Sequence, residues 1–497
     1  MIHLRKYQYD GEDAIRDMTR KGHKRIIWTC ATGGGKTVVG ADITHKAIQR
    51  KKRVLWLVHR DEISTQTVKK LVLFCHNPGI IQGDNYMKNS LCHVAMVQTL
   101  SRRLDFLAKN DLLPDCCITD EVHHCAADSW LKIYDAIVKY KPDCLFIGLT
   151  ATGRRTDGLG LDTAGYTCLI NGPQYADLLN PAYTGGEVFL SEPVVFFSPL
   201  TFQLSKAKGK MKTTNKNKDY DPNEEQKIFG EKIVVNNCVD LYNKYFMGAP
   251  CIVFGASVND CLEVTSALRA AGWKGGTVYD TMDIAERKDY IEGLGNGKYN
   301  FLCSYDILGE GVDIPVVAGC ILRRRSTSII IYLQDIGRSA RRYPGKKYNI
   351  IIDQCGMSII HKHPLLRREW SLEGIIKTPT EPEIRMMVCS GCGALLAAKY
   401  AVCPYCGEVL KGECGFSEES IREVPAPMQI LPAPAQQGFY EAADIEEFEI
   451  KDREQEVINR ITSGHLTSFD RFGELAKMIG KDRKWTDLVW RKYHAGN

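Results

Sequence analysis

The stretch Ile26–Thr37 reads IIWTCATGGGKT. Its apolar start, Ile26–Thr29, has the length and character of a short buried strand. Gly33, Gly34 and Gly35 follow, then Lys36 and Thr37, then a helical pattern in Val38, Val39, Ala41, Ile43, Ala47 and Ile48. Strand, glycine turn, lysine and helix make an anion-binding arrangement. Glycines let backbone N–H groups close around phosphate oxygens with no Cβ in the way, and the helix turns its positive end toward the same anion. In such a loop Lys36 reaches the β- and γ-phosphates of a nucleotide and the Thr37 hydroxyl ligates Mg²⁺. Cys30 stands where the general pattern has glycine, five residues before Gly35, so the match is to the shorter form Ala31-Thr32-Gly33-x-Gly35-Lys36-Thr37.

Composition sets bounds around this stretch. A chain of 497 residues holds several domains, each able to bury a core. Hydrophobic content of 44% and charged content of 25% are those of soluble globular proteins. No run is long enough to span a bilayer and no early stretch has a leader's pattern, so we expect a soluble, cytoplasmic protein without membrane partners. The net charge is only +5, so nucleic-acid binding must be argued from local patches. Most of the 19 cysteines are scattered singly through apolar strands, which suits free thiols in a reducing compartment.

Downstream, apolar strands alternate with helical segments. Arg53–Val58 ends in His59-Arg60-Asp61-Glu62, and His93–Val97 is followed by Gln98-Thr99-Leu100. Polar residues at strand C-termini are where open α/β sheets place ligands. Arg60 and Thr99 are thus candidate phosphate contacts along a nucleic-acid strand, or ordinary loop residues. Asp115–Thr119 leads into Asp120-Glu121-Val122-His123-His124. Carboxylates at a strand end after a phosphate loop supply the second half of a nucleotide site: Asp120 for Mg²⁺, and Glu121 to polarise the attacking water. Cys144–Gly148 ends at Thr150-Ala151-Thr152, where small hydroxyl residues can sense the γ-phosphate. Strands alternating with helices predict a parallel sheet with helices on both faces.

From about Asn171 to Ile233 the pattern loosens. Lys206, Lys208, Lys210, Lys212, Lys216 and Lys218 read as a mobile basic loop between two lobes, either a nucleic-acid contact or a solvated charge run. The α/β pattern then restarts, with strands at Pro250–Phe254, Gly275–Tyr279, Asn300–Ser304 and Tyr348–Asp353, and a buried run at Val316–Leu322. Gln334–Arg341 is expected on a helix, with Arg338 and Arg341 three apart on one face. This second lobe has no phosphate loop, so its arginines make sense as fingers presented to a nucleotide on the first lobe.

Cys389-Ser390-Gly391-Cys392 and Cys403-Pro404-Tyr405-Cys406 are two CxxC pairs, each followed by glycine. Four thiolates so spaced fit a tetrahedral Zn²⁺ ribbon, with an iron–sulfur centre as the minor alternative. We expect this ribbon to unfold by itself on loss of its metal, leaving the lobes intact. A Pro-rich linker follows, then an acidic patch. The helical tail mixes Lys481, Arg483, Lys484, Trp485, Trp490, Arg491, Lys492 and Tyr493, which serve either for stacking on bases or as a small helical core.

The motif series resembles superfamily 2 helicases, and most closely the RadD-like DNA repair helicases with their shorter phage-encoded relatives. It is carried by Leu4–Gln8, Ala31–Thr37, DEVHH at Asp120–His124, TAT at Thr150–Thr152, GEGVDIP at Gly309–Pro315 and QDIGRSARR at Gln334–Arg342. The resemblance implies an α/β fold of two tandem RecA-like parallel-sheet lobes, a zinc ribbon and a small helical C-terminal region. It implies ATP between the lobes on Thr32, Gly33, Gly34, Gly35, Lys36 and Thr37, with Gln8 on the adenine edge. Gly311, Asp313 and Gln334 would lie near the nucleotide, and Arg338 and Arg341 on the γ-phosphate. The domains expected are lobe 1 over 1–175, a connecting segment over 176–232, lobe 2 over 233–378, the ribbon over 386–412, a linker over 413–440 and the helical region over 441–497. The expected activity is ATP-dependent DNA unwinding or translocation in replication, recombination or repair, in a bacterial or phage-infected cell. DNA, single-stranded or branched, is the expected partner, with a protein partner on the ribbon. The alternatives are a DNA or protein–DNA remodeller without net unwinding, and an ATP-switched binding module.

Overall fold

In the computed structural model, the first lobe is a sheet of seven strands. These are β1 (Arg25–Thr29), β2 (Val54–Val58), β3 (Gly79–Ile81), β4 (Cys92–Met96), β5 (Cys116–Asp120), β6 (Leu145–Thr150) and β7 (Cys168–Ile170). They lie in the order β3-β4-β2-β5-β6-β1-β7, and every pairing is parallel. Parallel neighbours need crossovers, and these are provided by α2 (Lys36–Gln49), α3 (Asp61–Leu73), the short α4 (Val97–Leu100) and α5 (Asp128–Tyr140), among others, while α1 (Lys6–Arg20) precedes β1. Trp130, Ile133, Tyr134 and Ile137 recur at helical spacing on α5 and are buried with Leu55, Leu57 and Phe146. Residues 4–410 are described, apart from 75, 84–89, 126, 156–157, 199, 207–210, 215–216, 310–313, 378–385 and 398–401. The expected linker and C-terminal region, together with Gly311, Asp313, Lys208, Lys210 and Lys216, therefore lie outside the described residues.

The segment expected only to connect the lobes does more. β8 (Glu192–Phe197) pairs in parallel with a strand more than 150 residues later and becomes the edge of the second sheet. The basic loop contains a hairpin, β9 (Met211–Thr214) against β10 (Asn217–Tyr220), so Lys212 and Lys218 lie in strands. Behind it comes α6 (Pro222–Phe229), whose buried Glu225 receives Arg325 Nε and Nη2 at 2.9 and 2.5 Å. That bidentate pair fastens the insertion to lobe 2.

Lobe 2 proper runs through α7 (Lys232–Tyr245), β11 (Cys251–Phe254), α8 (Val258–Ala270), β12 (Gly275–Val278), α9 (Ile284–Gly295), β13 (Phe301–Ser304), β14 (Gly319–Leu322), α10 (Ile329–Arg338) and β15 (Tyr348–Asp353). The sheet order is β12-β13-β11-β14-β15-β8, again all parallel. Both sheets belong to one packed unit.

Two boundaries move. Residues 367–377 return to lobe 1, where Asn171 and Trp370 exchange two hydrogen bonds of 3.0 Å and Gln174 accepts from the Arg368 N–H. The hairpin of β16 (Glu369–Trp370) and β17 (Ile376–Lys377) thus covers the first lobe, although we assigned it to the second. The four-cysteine segment forms a hairpin of β18 (Met386–Val388) and β19 (Leu395–Ala397), and it is not a separate module. Met387, Cys389, Cys392, Ala394, Leu396 and Cys403 share one core with Phe196, Tyr245 and Val253 of lobe 2. Phe196 bridges Ala394, and the Phe197 N–H donates to the Gly393 carbonyl at 2.9 Å. The ribbon covers the sheet edge that β8 leaves open, because an edge strand has backbone groups to satisfy.

Every described cysteine is a free thiol, and all but Cys168 and Cys406 are buried. Among the described residues no helix is long and apolar enough to cross a membrane.

Candidate nucleotide site and metal centre

β1 ends in the glycine loop, and α2 begins at Lys36. Gly35 caps that helix at φ 82°, a left-handed conformation that glycine adopts without strain. A Cβ on Gly34 would stand 2.4 Å from Cys30 Sγ. The cysteine in place of the pattern's first glycine is therefore accommodated because position 34 has no side chain. Lys36 is only 8% exposed, with Nζ 3.4 Å from the Cys30 carbonyl and 3.9 Å from Glu121 Oε1.

The carboxylates at the end of β5 face this loop. Thr37 Oγ1 donates to Asp120 Oδ2 at 3.2 Å. Burial and the neighbouring Glu121 charge push Asp120 up to about 6, against the pull of Lys36. Glu121 has φ 50°, rare for a side chain of its size, and it turns the carboxylate back toward Lys36. His123 is the residue whose role was not read from the sequence. Its Nδ1 lies 3.0 Å from Thr150 Oγ1 and 3.4 Å from Glu121 Oε2, and its Nε2 lies 3.4 Å from Gln334 Nε2 on lobe 2. Thr150 in turn donates to the Thr152 carbonyl at 3.0 Å. Glu121, the TAT segment and Gln334 are thus joined through one imidazole, and only its position two residues after Glu121 could have hinted at this.

At the other end of the loop, Gln8 accepts from the Arg5 N–H at 2.9 Å and donates to the Gly34 carbonyl at 3.3 Å. Tyr7 Oη donates to that same carbonyl at 2.9 Å. Lobe 2 closes over the loop, since a Cβ on Gly337 would meet Thr32 Cβ at 2.4 Å.

The arginines are not arranged as expected. α10 ends at Arg338, with Ser339 as its cap, so Arg341 is not on the helix and the shared-face argument fails. Arg338 donates from Nε and Nη2 to the Gly309 carbonyl at 2.9 and 2.7 Å. Arg341 instead forms a β-bridge with Leu190, and a Cβ on Gly33 would lie 3.6 Å from its Cγ. Among the described contacts, Arg341 is the one of the pair that borders the glycine loop.

A family model described as the res subunit of type III restriction enzymes matches residues 1–155, and one described as the helicase conserved C-terminal domain matches 234–343. The chain is 29% identical over 378 residues to a 51.5 kDa protein of a Lactococcus phage, covering 76% of each. It is 28% identical to irc3 of Schizosaccharomyces pombe, named as a mitochondrial ATP-dependent helicase, over 71% of this chain and 57% of that protein. Its fold resembles a fragment of an HsdR subunit of a type I restriction enzyme from Vibrio vulnificus YJ016, with TM-score 0.54, 21% identity and 75% and 67% of the two chains covered. The chain belongs to the superfamily 2 helicases. Enzymes of this superfamily are ATP-dependent, and the two parallel sheets are its RecA-like lobes. The match spans little more than half the length of irc3 and of the corresponding Saccharomyces cerevisiae protein, at 57% and 54%.

On the helicase's other candidate surface, Arg60 caps α3, and its Nη1 reaches across to the Asp306 carbonyl of lobe 2 at 3.0 Å. Arg324 pairs with the Asp306 carboxylate. Thr99 lies on α4 beside Gln98, whose amide donates to the His59 carbonyl at 2.8 Å, so Arg60 and Thr99 border one edge of lobe 1.

The four ribbon cysteines place their Sγ atoms within 4.8 Å of one another. Cys389 and Cys406 are 3.6 Å apart and Cys392 and Cys403 3.7 Å. Sulfurs bound at about 2.3 Å around a tetrahedral Zn²⁺ would be separated by about 3.8 Å. Hydrogen bonds among the thiols lower Cys403 and raise Cys392, as expected of sulfurs this close that share protons.

Proposed function

We propose that this helicase hydrolyses ATP between its lobes to move along or unwind DNA in replication, recombination or repair. The observation that carries this is the meeting of Lys36, Thr37, Asp120 and Glu121 from lobe 1 with Arg341 from lobe 2 around one glycine loop. ATP with Mg²⁺ would supply the phosphoanhydride whose cleavage releases the energy. The Thr37 hydroxyl and the Asp120 carboxylate form an oxygen pair that suits Mg²⁺, and a cation beside Asp120 would reverse its raised pKa. Lys36 and the loop N–H groups bind the phosphates, and Thr32, Gly33, Gly34 and Gly35 shape the cradle. Glu121 orients and deprotonates the attacking water. Arg341 neutralises charge that builds on the phosphoryl oxygens as the bond breaks. His123 reports the state of Glu121 to Gln334, so hydrolysis changes the contact between lobes.

Gln8 is proposed for the adenine edge, Gly311 and Asp313 for the nucleotide's lobe 2 side, and Arg60 and Thr99 for nucleic-acid phosphates. The cysteine set is proposed to hold one Zn²⁺. DNA rather than RNA follows the sequence resemblance, and it accords with the DNA-bound form of the helicase MrfA, which resembles this fold at TM-score 0.51 with 18% identity.

ATP turnover measured with single-stranded, duplex and forked DNA, and with RNA, tests the reading. Stimulation by DNA and directional strand displacement are expected. Turnover indifferent to every nucleic acid would overturn it, and stimulation by RNA alone would redirect it. Arg341→Ala should spare ATP binding and cost on the order of 10³-fold in turnover.

A further inference from the structure

Arg341 reaches the phosphate loop from a turn, so something must fix that turn. The turn runs from Ser339, the cap of α10, to Lys346, and closes through the Lys346 N–H on the Tyr343 carbonyl at 2.9 Å. Lys346 is 3% exposed. Among the described residues its Nζ has two acceptors, the Val317 carbonyl at 2.5 Å and the Ser339 carbonyl. Carbonyls at a helix C-terminus carry partial negative charge and lack partners within the helix, and a lysine amine satisfies them. Val317 stands two residues before β14, and the Gly309 carbonyl upstream of it is held by Arg338. One amine therefore ties the end of α10 to the start of β14.

The opposite side of the turn is held by the strap that leads into β8. The Ser191 N–H donates to the Ala340 carbonyl at 2.7 Å and Ser191 Oγ to the Arg341 carbonyl at 3.2 Å. Leu190 bridges Arg341, and its Cδ2 would lie 3.0 Å from a Cβ on Gly33. We infer that Lys346 and Ser191 are positioning residues that clamp the 339–346 turn from two sides and set Arg341 against the phosphate loop. Burying an amine is costly, and here it serves the Ser339 carbonyl, two residues before Arg341, and the Val317 carbonyl, two residues before β14. The inference rests on Arg341 being the arginine that serves ATP.

The test is a double-mutant cycle on the full chain, with ATP affinity, single-turnover hydrolysis and melting temperature measured for Lys346→Met, Ser191→Ala, Arg341→Ala and the doubles. Displacing a catalytic group by about 1 Å costs on the order of 10²-fold, so we expect Lys346→Met to lower turnover 10- to 100-fold with unchanged KM. Ser191→Ala, which removes one hydroxyl and keeps the fold, should lower it several-fold. Neither change should lower turnover further once Arg341 is alanine. A loss of the same size in the Arg341→Ala background, or normal turnover in both single variants, would overturn the clamp while leaving Arg341's role intact. Normal turnover in Arg341→Ala alone would overturn the clamp together with the reading beneath it.

Discussion

Removing two ribbon ligands, in Cys403→Ser with Cys406→Ser, should destabilise lobe 2 itself. The sequence suggested a module that unfolds alone, but the hairpin's inner face is part of the second core. Met387 and Leu396 are buried there, and releasing them forfeits about 1.5–3 kcal/mol each. Two hydrogen bonds would go with them, Phe197 N–H to Gly393 and Tyr245 Oη to the Cys392 carbonyl, at about 1 kcal/mol apiece. The sum is about 5–8 kcal/mol, comparable to the whole stability of a domain, about 5–15 kcal/mol. The effect therefore decides whether lobe 2 keeps its edge, and Tm should fall by roughly 10 °C or more. Hydrogen exchange read by mass spectrometry locates it. The variant, or wild type treated with a chelator of the proposed Zn²⁺, should exchange faster in 192–197 and 386–397 and at the normal rate in 116–120 of lobe 1. Fast exchange in 386–397 alone, with 192–197 and Tm unchanged, would refute the shared core.

Glu121→Gln should bind ATP and turn it over far more slowly, and normal turnover would remove Glu121 from its role. His123→Ala should preserve ATP affinity but abolish stimulation by nucleic acid, since it removes the link from Glu121 and Thr150 to Gln334; full stimulation would show the coupling runs elsewhere. Asp260→Ala should cost about 3–5 kcal/mol in urea unfolding, because it leaves the fully buried Arg323 charge without its carboxylate partner. Lys346 is pushed down to about 7 by burial from its ordinary 10.5. Between those values the unfolded chain binds the extra proton, so stability should rise with pH through that window, by up to about 1.4 kcal/mol per pH unit. Lys346→Met should remove that slope, and an identical pH–stability profile in wild type and variant would contradict it.

The glycine loop, the strand-end carboxylates and the CxxC pairs were legible because each depends on residues close in sequence. An apolar run, a turn glycine and a helix start are neighbours, and their period and chemistry act locally. The strands flanking the loop are where the pattern put them, and the alternation of strand and helix did imply parallel sheets. What failed to show in the sequence depends on pairing over distance. β8 looks like any short apolar run, and only β15, more than 150 residues later, makes it the edge of the second sheet. Trp370 belongs to lobe 1 because Asn171 offers both of its amide bonds there. Arg338 and Arg341 are three apart, which on a continuing helix means one face. The helix stops at Arg338 because Leu190 and Ser191 offer the next residues a β-bridge, and Lys346 takes the carbonyl left at its end. A hydrogen bond between distant segments overrides local periodicity once burial makes an unpaired backbone group expensive. The residue types for the chemistry were therefore written in the chain, while the arginine that borders the phosphate loop was chosen by tertiary structure.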